Sequence, residues 1–175
     1  MKDTLIYAKY NQAGNKAIYG ILSSLSNEER EKDCGSYYGS LSGILRHILG
    51  GTKFFLGMYK VALGEGSAAL KAVSAVDGVP LPAEGKLSES QWKELGAALE
   101  AADSVYINLA EALAEADLSR PVKIEWYGGN PESVPLSFML SQLLVHNTHH
   151  RGQISQILDS LKIENDYSGI GAEFL

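Results

Sequence analysis

The segment Leu143-Leu144-Val145-His146-Asn147-Thr148-His149-His150-Arg151-Gly152-Gln153-Ile154 decides how the chain is read. Three of the four histidines fall within five residues of it. His146 and His150 are four apart, so a helix places them one turn apart on one face. That face is otherwise apolar. Met139, Leu143, His146, His150, Ile154, Ile157 and Leu161 follow at intervals of three or four, the spacing of a core stripe. Two imidazoles therefore stand where the pattern asks for leucine, and a buried imidazole must find partners for its ring nitrogens. Hydrogen bonds within the core are one answer. A shared divalent metal ion is the other, because histidines at i, i+4 have a zinc-binding spacing.

The fourth histidine lies on a second stripe, Ile44, His47, Gly51, Phe54 and Met58. If both stripes face one core, three histidines converge. Three neutral imidazoles with one position left open form the ligand set of a catalytic rather than a structural metal site. A satisfied core histidine is the alternative for His47. His149 falls outside the apolar stripe and is assigned to its edge. Arg151 is a candidate contact for an anionic group of a substrate or thiol cofactor, against an ordinary surface or inter-helix ion pair. Asn147 and Gln153 are placed to orient the imidazoles.

The remaining chain supplies helices around these stripes. A first helix is expected from about Thr4 to Ser24, capped by Asp3 or Thr4, with Leu5, Ala8, Ala13, Ala17, Ile18, Ile21, Leu22 and Leu25 inward. Ser26 to Glu29 reads as a capped single turn. A second helix runs from Ser40 to about Leu63; its glycines give room for close backbone approach or for a ligand beside His47. Residues 64 to 87 form a long connection with a short helix near Ser67 to Val76. Ser88 to Gln91 matches a capping box and opens a third helix to about Ala116. Arg120 to Tyr127 alternates like an extended segment, and a turn follows at Gly128 to Pro131. Trp126 and Tyr127 would wall a pocket or pin that loop. Pro135 suits the first turn of a fourth helix reaching about Leu161. The tail from Tyr167 to Leu175 docks on the bundle or on a partner.

With 175 residues, 45% hydrophobic and 21% charged, the chain suits one domain with a substantial core. A net charge of −6 and the lack of a basic run argue against nucleic-acid binding. The single cysteine, Cys34, rules out an intramolecular disulfide and reads as an unreactive thiol. No stretch suits a signal peptide or a membrane span, which points to a soluble cytoplasmic protein without a membrane partner.

The block from His146 to Gln153, with a single histidine in an earlier helix, resembles the DinB/YfiT-like family. Tyr10-Asn11-Gln12 through Leu22, Gly39-Ser40-Leu41 and the tail from Asp166 to Leu175 fit it too, so the resemblance spans nearly the whole chain. It implies an all-α fold, a four-helix bundle formed by one domain over residues 1–175, with the long connection between the second and third helices. It also implies a metal bound by one histidine of the second helix and two of the last, here His47, His146 and His150. Members often carry an acidic residue and a Trp soon after the first of these; this chain has Gly50-Gly51-Thr52-Lys53-Phe54-Phe55. That departure leaves a carboxylate contribution in doubt.

No carboxylate stands inside His146 to His150, unlike the HExxH proteases, so the metal is expected to do the activating. Similarity of family members to thiol S-transferases implies a thiol-dependent S-transferase or hydrolase acting on a small molecule in detoxification or a stress response, and a homodimer. A non-catalytic metal- or small-molecule-binding bundle, or a structural bundle without metal, is the competing reading. Catalytic residues stay unassigned. Imidazole suits several ions; zinc is expected first and nickel next, with a low-molecular-weight thiol as a candidate co-substrate. Binding should weaken as pH falls towards the imidazole pKa of about 6.5.

Overall fold

The structure, a computed structural model, describes residues 2–125, 132–167, 169, 171 and 174. Four long helices build it: α1 (Lys2–Ser23), α3 (Leu41–Ala62), α5 (Glu89–Ala112) and α6 (Leu136–Ser160). Two short ones, α2 (Asn27–Arg30) and α4 (Ala68–Val73), lie between them. The long helices close a ring in which α1 packs on α5, α5 on α3, α3 on α6 and α6 on α1. The all-α four-helix bundle expected from the sequence is therefore the fold. Among the described residues no helix is long and apolar enough to cross a membrane.

Local chemistry sets the helix ends. Ser40 caps α3 by accepting from the Gly43 N–H. Ser88 with Gln91 forms the capping box read from the sequence, and Ser26 with Glu29 forms a second one at the start of the single turn expected there. At the far end of α6, Lys162 takes a left-handed φ of 62°. The Ile163 N–H then bonds to the Leu158 carbonyl and the Lys162 N–H to the Asp159 carbonyl, a Schellman stop. Inside, α3 buries Leu45, Ile48 and Leu49 completely, each worth about 1.5–3 kcal/mol of transfer free energy.

Several expectations are corrected. The first helix begins at Lys2, so Asp3 sits in its first turn rather than before it, where a negative charge suits the helix dipole. Ala8, Ile18 and Leu22 of the expected face are fully buried and Leu5, Ile21 and Leu25 pack against the core, while Thr4, Tyr10, Asn11 and Asn15 are buried beside them and Ala13 and Ala17 are only half-buried. The third long helix stops at Ala112, short of Ala116. There the Asp117 carboxylate takes the Ala114 N–H and the Arg120 guanidinium, and a 3-10 turn over Glu115–Asp117 replaces further helix. Phe54 is 56% exposed and Leu161 53% exposed. Phe55 takes the inward place on α3, and Leu161 lies past the end of α6.

The connection after α3 holds α4 and a 3-10 turn (Ser74–Gly78) and anchors Val79 and Leu87 in the core. The extended segment is β1 (Pro121–Ile124). It pairs antiparallel with a second strand not foreseen, β2 (Glu132–Pro135), with Val122 opposite Val134. Pro135 ends that strand and caps α6 instead of entering its first turn. Trp126 and Tyr127, read as a pocket wall, lie outside the described residues. The tail returns to the bundle: the Tyr167 hydroxyl donates to the Arg151 carbonyl at 3.1 Å, and the Phe174 ring meets Tyr10 edge-on.

Candidate metal centre

The α3–α6 contact brings His47, His146 and His150 together. One nitrogen from each lies within 4.8 Å of the others. The ring centroids are 5.0 Å apart for His47 and His146, 4.4 Å for His47 and His150, and 4.5 Å for His146 and His150. The Nε2 atoms of His47 and His146 face each other at 3.1 Å.

This approach depends on Gly51. A Cβ built there would stand 2.2 Å from Cε1 of His146, so a side chain at 51 and the imidazole exclude one another. The glycine makes room for the His146 side chain of the facing helix, the close approach expected of it.

Two of the rings are held by their other nitrogen. His146 Nδ1 lies 2.9 Å from Asn147 Oδ1, and His150 Nδ1 lies 2.8 Å from Gln153 Oε1. Carbonyl oxygens only accept, so each Nδ1 carries the proton and each Nε2 keeps its lone pair. Asn147 and Gln153 thus hold the orientation expected of them.

For His146 that orientation is imposed from across the bundle. The Asp103 carboxylate, on α5, accepts from Asn11 Nδ2 at 2.8 Å and from Asn15 Nδ2 at 3.0 Å. Arg151 Nη1 donates to Asn11 Oδ1 at 2.9 Å and to Asn15 Oδ1 at 3.2 Å. An ionised carboxylate can only accept and a guanidinium can only donate, so together they fix which way both asparagines point. Asn11 Oδ1 in turn takes the Asn147 Nδ2 donor at 2.9 Å, with Thr52 Oγ1 taking it at 3.0 Å. Asn147 Oδ1 is left facing His146. A buried carboxylate and a buried guanidinium, bridged by two amides, thereby determine the tautomer of one imidazole.

Arg151 is 2% exposed and belongs to this network. Its guanidinium lies over the Tyr10 ring, 5.1 Å from the centroid. Of the two roles expected, the surface ion pair does not fit that placement, and the charge it lies near is Asp103 on another helix. His149 is exposed, and its ring touches His150 edge-on at 4.9 Å without joining the cluster.

Electrostatics favour neutral imidazoles. Burial lowers the pKa of all three histidines; His47 falls to about 4, with His150, His146 and Arg46 adding to the effect. Burial raises Asp103 to about 7 against the opposing pull of its Asn15 hydrogen bond and the Arg151 charge. Three imidazoles that burial favours in the neutral form, each with one nitrogen within 4.8 Å of the others, fit a divalent transition-metal ion. The group contains no carboxylate among the described residues.

A cleft of about 670 Å³ reaches the cluster at His47. Tyr38 and Gly43 line it beside His47, and Arg46, Lys86, Glu31 and Glu84 give it charges of both signs. Tyr38 escaped the sequence reading. Its hydroxyl lies 2.9 Å from His47 Nε2 and its ring stacks on the imidazole at 4.0 Å. No spacing in the sequence announces it, because it stands in the loop before α3. Asn11, Asn15 and Asp103 did leave a signal: they are polar residues at core-stripe positions, the same anomaly that singled out the histidines.

A four-helix bundle with three convergent histidines on its second and last long helices is thus the class of structure. A model of the DinB family matches residues 1–161, and the chain belongs to that family. No curated protein and no solved structure matches it.

Proposed function

We propose that His47, His146 and His150 bind one divalent metal ion, and that the chain is a metal-dependent enzyme acting on a small molecule. The observation that carries this reading is the gathering of one nitrogen from each imidazole within 4.8 Å of the others, with two of the rings held by amide oxygens on the opposite nitrogen. An ion held there would supply Lewis acidity. Zinc is the first candidate and nickel the second, since imidazole accepts both.

The chain's own residues narrow the chemistry. No carboxylate stands among the convergent donors to serve as a base, which favours a reaction in which the ion activates the attacking group. The cleft beside His47 offers Arg46 and Lys86 together with Glu31, Asp33 and Glu84, a lining suited to a small polar molecule bearing both charges. A thiol-dependent S-transferase or a hydrolase, serving detoxification or a stress response, fits these features. A metal-binding bundle without turnover is the second reading. It is favoured by the cleft meeting the cluster at His47 while neither His146 nor His150 lines it.

Metal content by mass spectrometry tests the proposal, on protein purified without chelator or metal-affinity resin. The expected result is about one ion per chain, lost in His47→Ala, His146→Ala and His150→Ala and kept in His149→Ala. Absence of metal after incubation with zinc and with nickel would end the enzyme reading. Metal binding without turnover of any thiol and electrophile pair or hydrolysable ester would favour the second.

A further inference from the structure

We propose that the Tyr38 hydroxyl is a fourth donor to the ion held by the three histidines. The assignment rests on the metal site proposed above and adds to it a residue from outside the helices.

The geometry is that of a coordination polyhedron drawn in by side chains. In a tetrahedral centre with donor bonds of about 2.0–2.1 Å, neighbouring donors stand about 3.3 Å apart. His47 Nε2 and His146 Nε2 are 3.1 Å apart, and Tyr38 Oη is 2.9 Å from that same His47 Nε2. The phenol oxygen therefore stands from His47 Nε2 at about the separation that two donors to one ion would have, as the second histidine does. The ring is also fixed with respect to the third donor, meeting His150 edge-on at 5.4 Å.

The backbone holds the residue there. Tyr38 lies just before the α3 cap, followed by Gly39 at a left-handed φ of 78°. A Cβ at Gly43 would stand 2.1 Å from the Tyr38 carbonyl oxygen, so glycine at 43 lets this loop press against α3 one turn ahead of His47. Tyr38 also lines the cleft, which places it between the cleft and the ion. Tyr37 makes a control. It is 96% exposed and lines the same cleft, while its ring packs on Tyr38.

Copper(II) is the probe, because imidazole sites bind it strongly and a tyrosine oxygen bound to it as phenolate, its proton released to solvent, gives a visible charge-transfer band. Wild-type protein loaded with one copper per chain is expected to show the band. Tyr37→Phe should keep it, and Tyr38→Phe should lose it while still holding one copper. Tyr38→Leu serves if the Phe variant does not fold. Copper bound without the band, or a band that survives at position 38 without tyrosine, overturns the assignment and leaves the histidine site standing. Wild-type protein that takes up no copper, zinc or nickel overturns the histidine site, and this donor with it.

Discussion

Two polar clusters sit inside the same bundle and are built in opposite ways. On the α1–α5 side, Asp103, Asn11, Asn15 and Arg151 answer one another: carboxylate oxygens meet amide donors and the guanidinium meets amide oxygens. On the α3–α6 side, three imidazoles turn nitrogens towards one another with no opposite charge among them. The first cluster is saturated and the second asks for a cation. Buried polar groups of opposite kind that satisfy each other define a structure; nitrogens of one kind gathered beside a cleft mark a candidate site. Asn147 joins the two, since its Nδ2 belongs to the saturated cluster and its Oδ1 to the open one.

The largest effect that separates the clusters should come from Arg151→Ala. It leaves Asp103 buried without the nearby guanidinium and Asn15 Oδ1 without its donor, while Asn11 Oδ1 keeps the Asn147 amide. Breaking a buried ionic network by removing one partner typically costs about 3–5 kcal/mol. Urea unfolding of the metal-free protein should show a loss of that order for Arg151→Ala and a much smaller one for His47→Ala. Equal losses would mean that the histidines are as structural as the ion pair. Next in size is Gly51→Ala. Its Cβ would meet His146 Cε1 at 2.2 Å, so the ring must rotate away. Zinc affinity, read by chelator competition, should fall by about 10- to 100-fold. Fold stability should move by no more than about 1 kcal/mol, because alanine's helix propensity partly offsets the clash. An unchanged zinc affinity would show that His146 does not ligate.

Asn147→Leu tests the junction. It removes the acceptor that places the proton on His146 Nδ1, and a lost partner of this kind lowers metal affinity by about tenfold or more. Nitrogen-15 shifts of the apo protein should show His146 losing its single tautomer in the variant. A preserved tautomer and affinity would break the link between the two clusters.

The fold was legible because its strongest signals are local. Ser88 with Gln91 announces a helix start, and the four long apolar periods announce four helices. The three histidines were legible for a related reason: a polar residue on an apolar stripe contradicts its surroundings. Asn11, Asn15 and Asp103 carry the same contradiction on α1 and α5, yet alanines elsewhere on α1 gave an apolar face that hid it. Tyr38 had no periodicity to violate. Gly51 showed only a tolerance of lost helix propensity, and its reason, the His146 ring, lies 95 residues away across the bundle. Contacts of that separation leave no mark on a single segment. Strand β2 was missed because four residues with little burial, Glu132–Pro135, carry no apolar alternation.

The smallest expected effect is a difference in pH dependence, and it has opposite signs in the two clusters. Burial depresses the histidines, His47 to about 4, from an unfolded value of about 6.5. Between those values the unfolded chain takes up protons that the fold refuses, so their contribution to stability is lost as pH falls from about 6.5 through about 4. Asp103 is raised to about 7 from an unfolded value near 3.9. Its contribution is present below the unfolded value and is lost as pH rises through about 7, because the fold penalises the ionised form. Asp103 also borders a cleft of about 430 Å³ with Lys16, Tyr19 and Glu100, which gives protons a way in. In the metal-free wild type the two slopes oppose one another across the weakly acidic range. Asp103→Asn removes one of them, so the variant's stability should climb more steeply than wild type between pH 4.5 and pH 7. Denaturant midpoints measured across that range provide the comparison. Zinc should then hold to lower pH than free imidazole would allow, since the same burial that depresses His47 weakens proton competition. A variant whose profile runs parallel to wild type would place the Asp103 carboxyl outside this range and leave the histidines alone in setting the acid limit of the fold.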